Sequence, residues 1–198
     1  MKIICLVGKS GSGKDTVYAK VMQAYGGSIL KRVVSCTTRP MRIGEVDGIQ
    51  YHFVSRDDFS ANMKSGNVLE HREYNSFGNI LVYYTRVSEF ADDGVYLVVC
   101  SLAQVSNYIK AFGKSVVYVV HLFVRDDVRL KRAIDREMSS KGDLKEVCRR
   151  FISDAEEWEG TTVLESCTSC SIENRELSWT VAEVEEFIEG GNWWCLRT

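Results

Sequence analysis

The sequence predicts an α/β protein whose mostly parallel sheet is covered by helices on both faces. Three observations carry this prediction. Short apolar runs of strand length alternate with segments of helical spacing. The first run passes directly into a glycine-rich loop and a helix, and the alternation is interrupted only once, between about residues 36 and 90. With 198 residues, 45% of them apolar, the chain suits one domain with a full core and leaves little room for two independently folded units.

Lys2 to Val7 is an apolar run typical of a buried parallel strand. Gly8 to Lys14 forms the loop, and Val17, Val21 and Met22 recur at helical spacing until Gly26-Gly27. A second strand is expected over Ile29 to Ser35. The interruption begins with turn signals at Arg39-Pro40 and Asp47-Gly48, followed by an extended Tyr51 to Val54. Ser55 with Asp58 three residues later opens a helix, and strand-like Val68 to Tyr74 and Ile80 to Thr85 come after it. This stretch reads as an insertion with its own small sheet.

The α/β rhythm resumes with Val95 to Cys100, a helix to about Phe112 and a central strand over Val116 to Val124. The next helix puts Leu130, Ile134 and Met138 on one face and Arg129, Arg132 and Arg136 on another, and Ser139 to Gly142 breaks it. A further helix carries Leu144, Val147, Phe151, Ala155 and Trp158 on one stripe, leaving Arg149 and Arg150 off it. A short strand over Cys170 to Ile172 and a helix opened by Thr180 with Glu183 and closed at Gly190 complete the pattern.

Composition excludes several classes. With 25 Lys+Arg against 27 Asp+Glu, the chain lacks the basic balance of a nucleic-acid binder, and any anion must be held by a local arrangement. Val116 to Val124, the longest apolar run, is interrupted by His121 and is too short to span a bilayer. Met1 to Val7 lacks the length and cleavage site of a secretion signal, so a cytoplasmic location is expected. Seven cysteines, an odd number, then read as reduced thiols, and Cys167 with Cys170 is a lone C-x-x-C without a second pair or nearby histidine.

Gly8-x-x-x-x-Gly13-Lys14 between a strand and a helix is the context that a phosphate-binding P-loop requires. Here the backbone N–H groups from Gly8, Ser10, Gly11, Ser12 and Gly13 wrap an anion, the helix N-terminus adds positive potential, and Lys14 reaches the β and γ phosphates of ATP. The motif ordinarily ends in Ser or Thr, whose hydroxyl binds Mg²⁺, but this chain has Asp15, with Thr16 beside it. A carboxylate next to a triphosphate is repulsive unless a cation lies between them, so Asp15 is read as the ligand of a Mg²⁺ that accompanies ATP. A second constellation is Ser35-Cys36-Thr37-Thr38-Arg39-Pro40-Met41-Arg42-Ile43-Gly44-Glu45, with Tyr51 to Ser55 after it. Two arginines three apart, hydroxyls before them and a tyrosine after suit a second phosphate group.

Gly8 to Lys14 together with Ser35 to Ser55 resembles the guanylate kinases, nucleoside monophosphate kinases that transfer a phosphoryl group from ATP to GMP. The resemblance implies a P-loop NTPase fold with a five-stranded, mostly parallel sheet (1–35, 95–125 and 155–198), an inserted GMP-binding subdomain at about 36–90 and a helical lid at about 132–152. It implies that Ser35, Arg39, Arg42 and Tyr51 hold the GMP phosphate, with Glu45 near the same pocket. Val68-Leu69-Glu70-His71 resembles the strand whose glutamate receives guanine N1–H and N2–H, and Tyr83-Tyr84-Thr85 resembles a Tyr-Gly-Ser/Thr run. This makes Glu70 the base reader, Tyr83 a phosphate contact and Thr85 a guanine contact. Tyr84 replaces a glycine, which would narrow the pocket or shift the alignment, and the loop Asn75 to Leu81 looks longer than the family's.

Arg136 and Arg150 resemble two lid arginines that close over ATP, with Arg149 an alternative to Arg150 and Arg132 in reserve, and Asn174 resembles an adenine contact. The family also carries two aspartates at the positions of Val99 and Ser101, serving the metal and the acceptor nucleotide. Neither is present, and with Asp15 gained in the loop the negative ligand is expected to have moved there. The expected ligands are ATP with Mg²⁺ and GMP, dGMP or a related phosphorylated acceptor, in a monomer or homodimer. Three rivals share the scaffold. Ribose 1,5-bisphosphate phosphokinases have the Gly-Lys-Asp loop ending and a missing strand aspartate, phage-type deoxynucleotide kinases need no ribose-hydroxyl reader, and guanylate-kinase-like protein-binding modules commonly lose the ATP loop that this chain keeps.

Overall fold

The protein is described by a computed structural model over residues 1–41, 44–76, 79–91, 93–139, 144–159 and 168–190. Arg42, Cys167, Trp193 and Trp194 lie outside the described residues. β1 (Lys2–Val7), α1 (Lys14–Tyr25) and β2 (Leu30–Arg32) open the chain. The insertion holds β3 (Cys36–Thr37), β4 (His52–Phe53), α2 (Arg56–Lys64), β5 (Val68–Ser76), β6 (Asn79–Arg86) and a 3₁₀ turn over Val87–Phe90. Then follow β7 (Val95–Val99), α3 (Leu102–Phe112), β8 (Val117–Phe123), α4 (Asp126–Ser139), α5 (Leu144–Trp158), β9 (Thr168–Glu173) and α6 (Leu177–Glu189).

Five strands form the main sheet in the order β2-β7-β1-β8-β9, and every pairing in it is parallel. Ile3 to Val7 of the central strand are fully buried, as a strand covered on both faces must be. One face packs Leu6, Leu97 and Val120 against Val17 and Val21 of α1 and Val184, Phe187 and Ile188 of α6. The other packs Cys5, Val98 and Val119 against Val105 and Tyr108 of α3, with Phe90 and Trp158 at its margin. The chain leaves β1 toward β2 on one side of the sheet and β7 toward β8 on the other. In such sheets the ligand crevice opens outside the carboxyl ends of the strands, where the Gly8 loop and Ser101 lie.

The insertion forms a second sheet, β4-β3-β6-β5, with α2 over a small core of Cys36, Val82, Tyr84 and Phe59. The α2 capping box is present: Asp58 N–H donates to Ser55 Oγ at 3.0 Å and Ser55 N–H to Asp58 Oδ2 at 2.9 Å. Tyr84, 1% exposed, packs its ring into this core 5.1 Å from Phe59, while the residue also belongs to the lining of the large cleft described below. The extra length around residue 75 is strand, not loop, because β5 and β6 pair as far as Ser76 and Asn79. β2 stops at Arg32, since by Ser35 the chain has joined the second sheet, where the Ser35 carbonyl accepts from His52 N–H at 2.9 Å.

Three helices differ from the sequence expectation. α4 buries Arg129 and Ala133 while Met138 stays 65% exposed, because Arg129 finds carboxylates and an aromatic ring inside. On α5 the inward stripe is Val147, Phe151, Asp154 and Trp158, whereas Leu144 and Ala155 are exposed. α6 begins three residues before Thr180, whose buried Oγ1 lies within hydrogen-bond distance of the Glu176 carbonyl at 2.8 Å and Asn174 Oδ1 at 3.0 Å, the two acceptors sharing its one proton. Cys36, Cys100 and Cys148 are free thiols, the first two buried and the third exposed. Among the described residues no helix is long and apolar enough to cross a membrane.

His121 on β8 lies 4.8 Å from the Trp158 ring, and its Nδ1 is 3.1 Å from Ser171 Oγ. Burial, with the Lys9 charge nearby, holds its pKa at about 4, down from 6.5. The unfolded chain therefore binds a proton between pH 6.5 and 4 that the folded chain refuses, and stability falls as pH drops through that window. Urea unfolding at pH 7 and pH 4.5 is expected to show a His121 contribution on the order of 2 kcal/mol, removed in His121→Gln. An unchanged acid limb in the variant would contradict this.

Candidate active site

The loop after β1 is shaped by its glycines and braced from three later elements. Gly11 and Gly13 have φ of 82° and 87°, in the left-handed region that favours glycine, and a Cβ on Gly11 would approach the Arg129 carbonyl oxygen to 2.5 Å. Ser10 N–H donates to Asp154 Oδ2 at 2.7 Å, and Asn174 Nδ2 donates to the Ser12 carbonyl at 2.7 Å. The first helical bond of α1 runs from Val17 N–H to the Gly13 carbonyl, leaving the N–H groups of Lys14, Asp15 and Thr16 without a partner inside the helix. Gly8, Ser10, Lys14 and Asp15 line a cleft of about 990 Å³, while Thr16 is exposed outside it.

Ser35, Arg39, Tyr51, Glu70 and Tyr83 line the same cleft. Arg39 is 7% exposed and forms a two-pronged pair with Glu45, Nη1 to Oε2 at 2.9 Å and Nη2 to Oε1 at 2.8 Å. Its Nε donates to the Tyr83 hydroxyl at 3.2 Å, and its guanidinium lies 5.6 Å from the Tyr51 ring and 5.4 Å from the Phe53 ring. The Glu45 carboxylate pushes the Arg39 pKa further up, so the group is a permanent cation.

Glu70 Oε1 accepts from Thr85 Oγ1 at 2.6 Å, and Thr85 Oγ1 is 3.2 Å from Ser35 Oγ. Glu70 Oε2 accepts from Gln104 Nε2, and Gln104 Oε1 accepts from Arg72 Nη2 and Ser101 N–H, each at 2.7 Å. Ser101 is the N-cap of α3, and both it and Val99 line the cleft without a carboxylate.

Arg136 and Arg150 come together from α4 and α5 at a narrow gap beside Ser10, whereas Arg132 donates to the Asn174 carbonyl at 3.1 Å. The Asn174 side chain is 4% exposed, its amide engaged by Ser12 and Thr180, so it supports the loop from behind and presents no open face to a base. Arg129 and Asp154 are the site residues that sequence reasoning missed, along with Gln104 and Arg72. Arg129, 1% exposed, pairs with Asp126 at 2.6 Å and Asp154 at 3.3 Å and stacks 3.7 Å from the Phe151 ring centre. Asp154 was detectable as a carboxylate on an inward stripe, and Gln104 as the fourth residue of the Ser101-x-x-Gln104 capping pattern.

A parallel sheet whose central strand feeds a glycine loop at a helix N-terminus, with an inserted second sheet across a shared cleft, defines a P-loop α/β fold. The model of the family "Guanylate kinase" matches residues 1–190, and the chain belongs to that family. A guanylate kinase of Chlorobium luteolum is 38% identical over 82 residues, 40% of this chain and 41% of that protein. One from Lactococcus lactis is 40% identical over 94 residues, 46% of this chain and 43% of that protein. The chain thus spans only about two fifths of the length of these curated relatives. The crystal structure of guanylate kinase from Anaplasma phagocytophilum shares the fold with a TM-score of 0.63 and 19% identity, covering 96% of this chain and 85% of that one.

Proposed function

We propose that this chain transfers the γ-phosphoryl group of ATP to GMP or dGMP, giving ADP and the nucleoside diphosphate. One observation carries the reading: Gly8, Ser10 and Lys14 of the glycine loop line the same cleft as Arg39, Tyr51, Tyr83 and Glu70, so one cleft can take donor and acceptor phosphates together. The loop amides and Lys14 hold the triphosphate, and Arg39 with Ser35, Tyr51 and Tyr83 receives the acceptor phosphate. Arg136 and Arg150, beside Ser10, neutralise charge on the group in transit. The acceptor phosphate oxygen is itself the nucleophile, so no general base is needed, and His52, His71 and His121 do not line the cleft.

Glu70 is the base reader, because a carboxylate accepts from guanine N1–H and N2–H together and adenine lacks that donor pair. In Glu70→Gln, kcat/KM for GMP is expected to fall about 10²-fold, the loss typical of a charged hydrogen bond in a recognition site. Unchanged GMP kinetics would remove Glu70 from the reading.

Mg²⁺ carried in with ATP supplies charge neutralisation at the β and γ oxygens. Asp15, exposed in the cleft next to Lys14, is the loop carboxylate that would approach it. Asp15→Ala is expected to lower Mg²⁺-dependent turnover by about tenfold or more, and Ser101→Ala by less than about threefold. Equal, small effects in a Mg²⁺ titration would sink the assignment.

A further inference from the structure

Gln104 sits in the first turn of α3 with all of its side-chain polar atoms engaged at the acceptor end of the cleft. Its Oε1 faces two groups that can only donate, Ser101 N–H and the Arg72 guanidinium, each at 2.7 Å. That fixes which end of the amide is the carbonyl, and Nε2 is thereby directed at Glu70 Oε2. The other carboxylate oxygen is held by Thr85 Oγ1 at 2.6 Å.

A glutamate carboxylate turns easily about its last torsion, which is broad and two-fold. A flat base edge with two adjacent donors needs both oxygens in its own plane. With one donor on each oxygen the Glu70 carboxylate is held at both ends, and each oxygen keeps a lone pair for a ligand. Gln104 is also neutral, so it orients Glu70 without setting a second negative charge beside it.

We propose that Gln104 is a positioning residue for the acceptor base: through Nε2 it orients the Glu70 carboxylate for a purine with adjacent N1–H and N2–H donors. The inference rests on the reading of Glu70 as base reader.

Gln104→Glu separates this role from a structural one. It keeps an acceptor facing Ser101 N–H and Arg72, so the α3 cap survives, but it replaces the donor to Glu70 with a carboxylate. Steady-state kinetics with GMP and with IMP, which lacks the N2 amino group, are compared with KM for ATP and the melting temperature. Gln104→Glu is expected to raise KM for GMP about tenfold and to narrow the GMP-over-IMP preference by a similar factor, with KM for ATP unchanged. Gln104→Met, of similar shape and without hydrogen bonds, is expected to narrow the preference as well, which guards against a Glu variant that folds poorly. A preference within twofold of the parent chain in both variants overturns the proposal. Glu70→Gln is assayed alongside. If it abolishes the preference while the Gln104 variants do not, the Gln104 inference alone falls. If Glu70→Gln also leaves the preference intact, the base reading falls and the Gln104 inference with it.

Discussion

Replacing Lys14 by alanine is expected to lower turnover by about 10²–10³-fold, the loss typical of a single preorganised electrostatic donor. Lys14 is the first residue of α1, where the helix N-terminus and unpaired amides already favour an anion. Its ammonium lines the cleft, and among the described residues no carboxylate pairs with it, so its charge is available to the triphosphate. The loop does not depend on it for shape, because Asp154, Asn174 and the glycine conformations brace Ser10, Ser12 and their neighbours. Lys14→Ala should therefore fold with an unchanged melting temperature and lose chemistry. Turnover within about fivefold of the parent would show that the ammonium does not act on the transferring group.

The second large effect is expected at Arg39. Four hydrogen bonds, to the Tyr83 hydroxyl, the Pro40 carbonyl and both Glu45 oxygens, engage four of the five N–H donors of the guanidinium. Arg39 thus offers an acceptor phosphate one remaining N–H and a charge fixed in place by Glu45 and by the Tyr51 and Phe53 rings. Lysine has the charge but not the fork, and it cannot satisfy Glu45 at two points while reaching the phosphate. Arg39→Lys is expected to raise KM for GMP by about 10²-fold, nearly as much as Arg39→Ala, with KM for ATP little changed. The split between the two Michaelis constants is the readout. A lysine variant with parental GMP kinetics would mean that charge alone suffices.

The readable parts of the site were those written contiguously. Gly8 to Lys14 and Ser35 to Tyr51 are local patterns whose chemistry follows from residue type and spacing, and the structure brings Gly8, Ser10, Lys14, Ser35, Arg39 and Tyr51 to one cleft. Glu70 and Thr85 needed a family resemblance, because two strands 15 residues apart must pair before a carboxylate meets a hydroxyl. Helical spacing puts Arg129 with Arg132 and Arg136 on a face of α4 apart from Leu130, Ile134 and Met138. Burial of a guanidinium becomes tolerable only once Asp126, Asp154 and Phe151 surround it, and two of these three come from another helix. Asp154 was lost for the same reason, since Ala155 beside it fits an apolar stripe equally well on paper. Thr180 and Tyr84 show the same limit in reverse. A threonine followed three residues later by a glutamate looks like a cap, and a tyrosine in place of glycine looks like an obstruction, until the tertiary fold gives each an inward partner.

The identity of the acceptor is tested most directly by product formation. ADP release by the purified chain with ATP and Mg²⁺ should be measured against GMP, dGMP, AMP, CMP, UMP and ribose 1,5-bisphosphate in parallel. The expected result is turnover with GMP or dGMP, at least about 10²-fold above AMP in kcat/KM, because adenine leaves the Glu70 carboxylate without its two donors. Folded protein that turns over none of the guanine nucleotides, or that prefers ribose 1,5-bisphosphate to them, would contradict it.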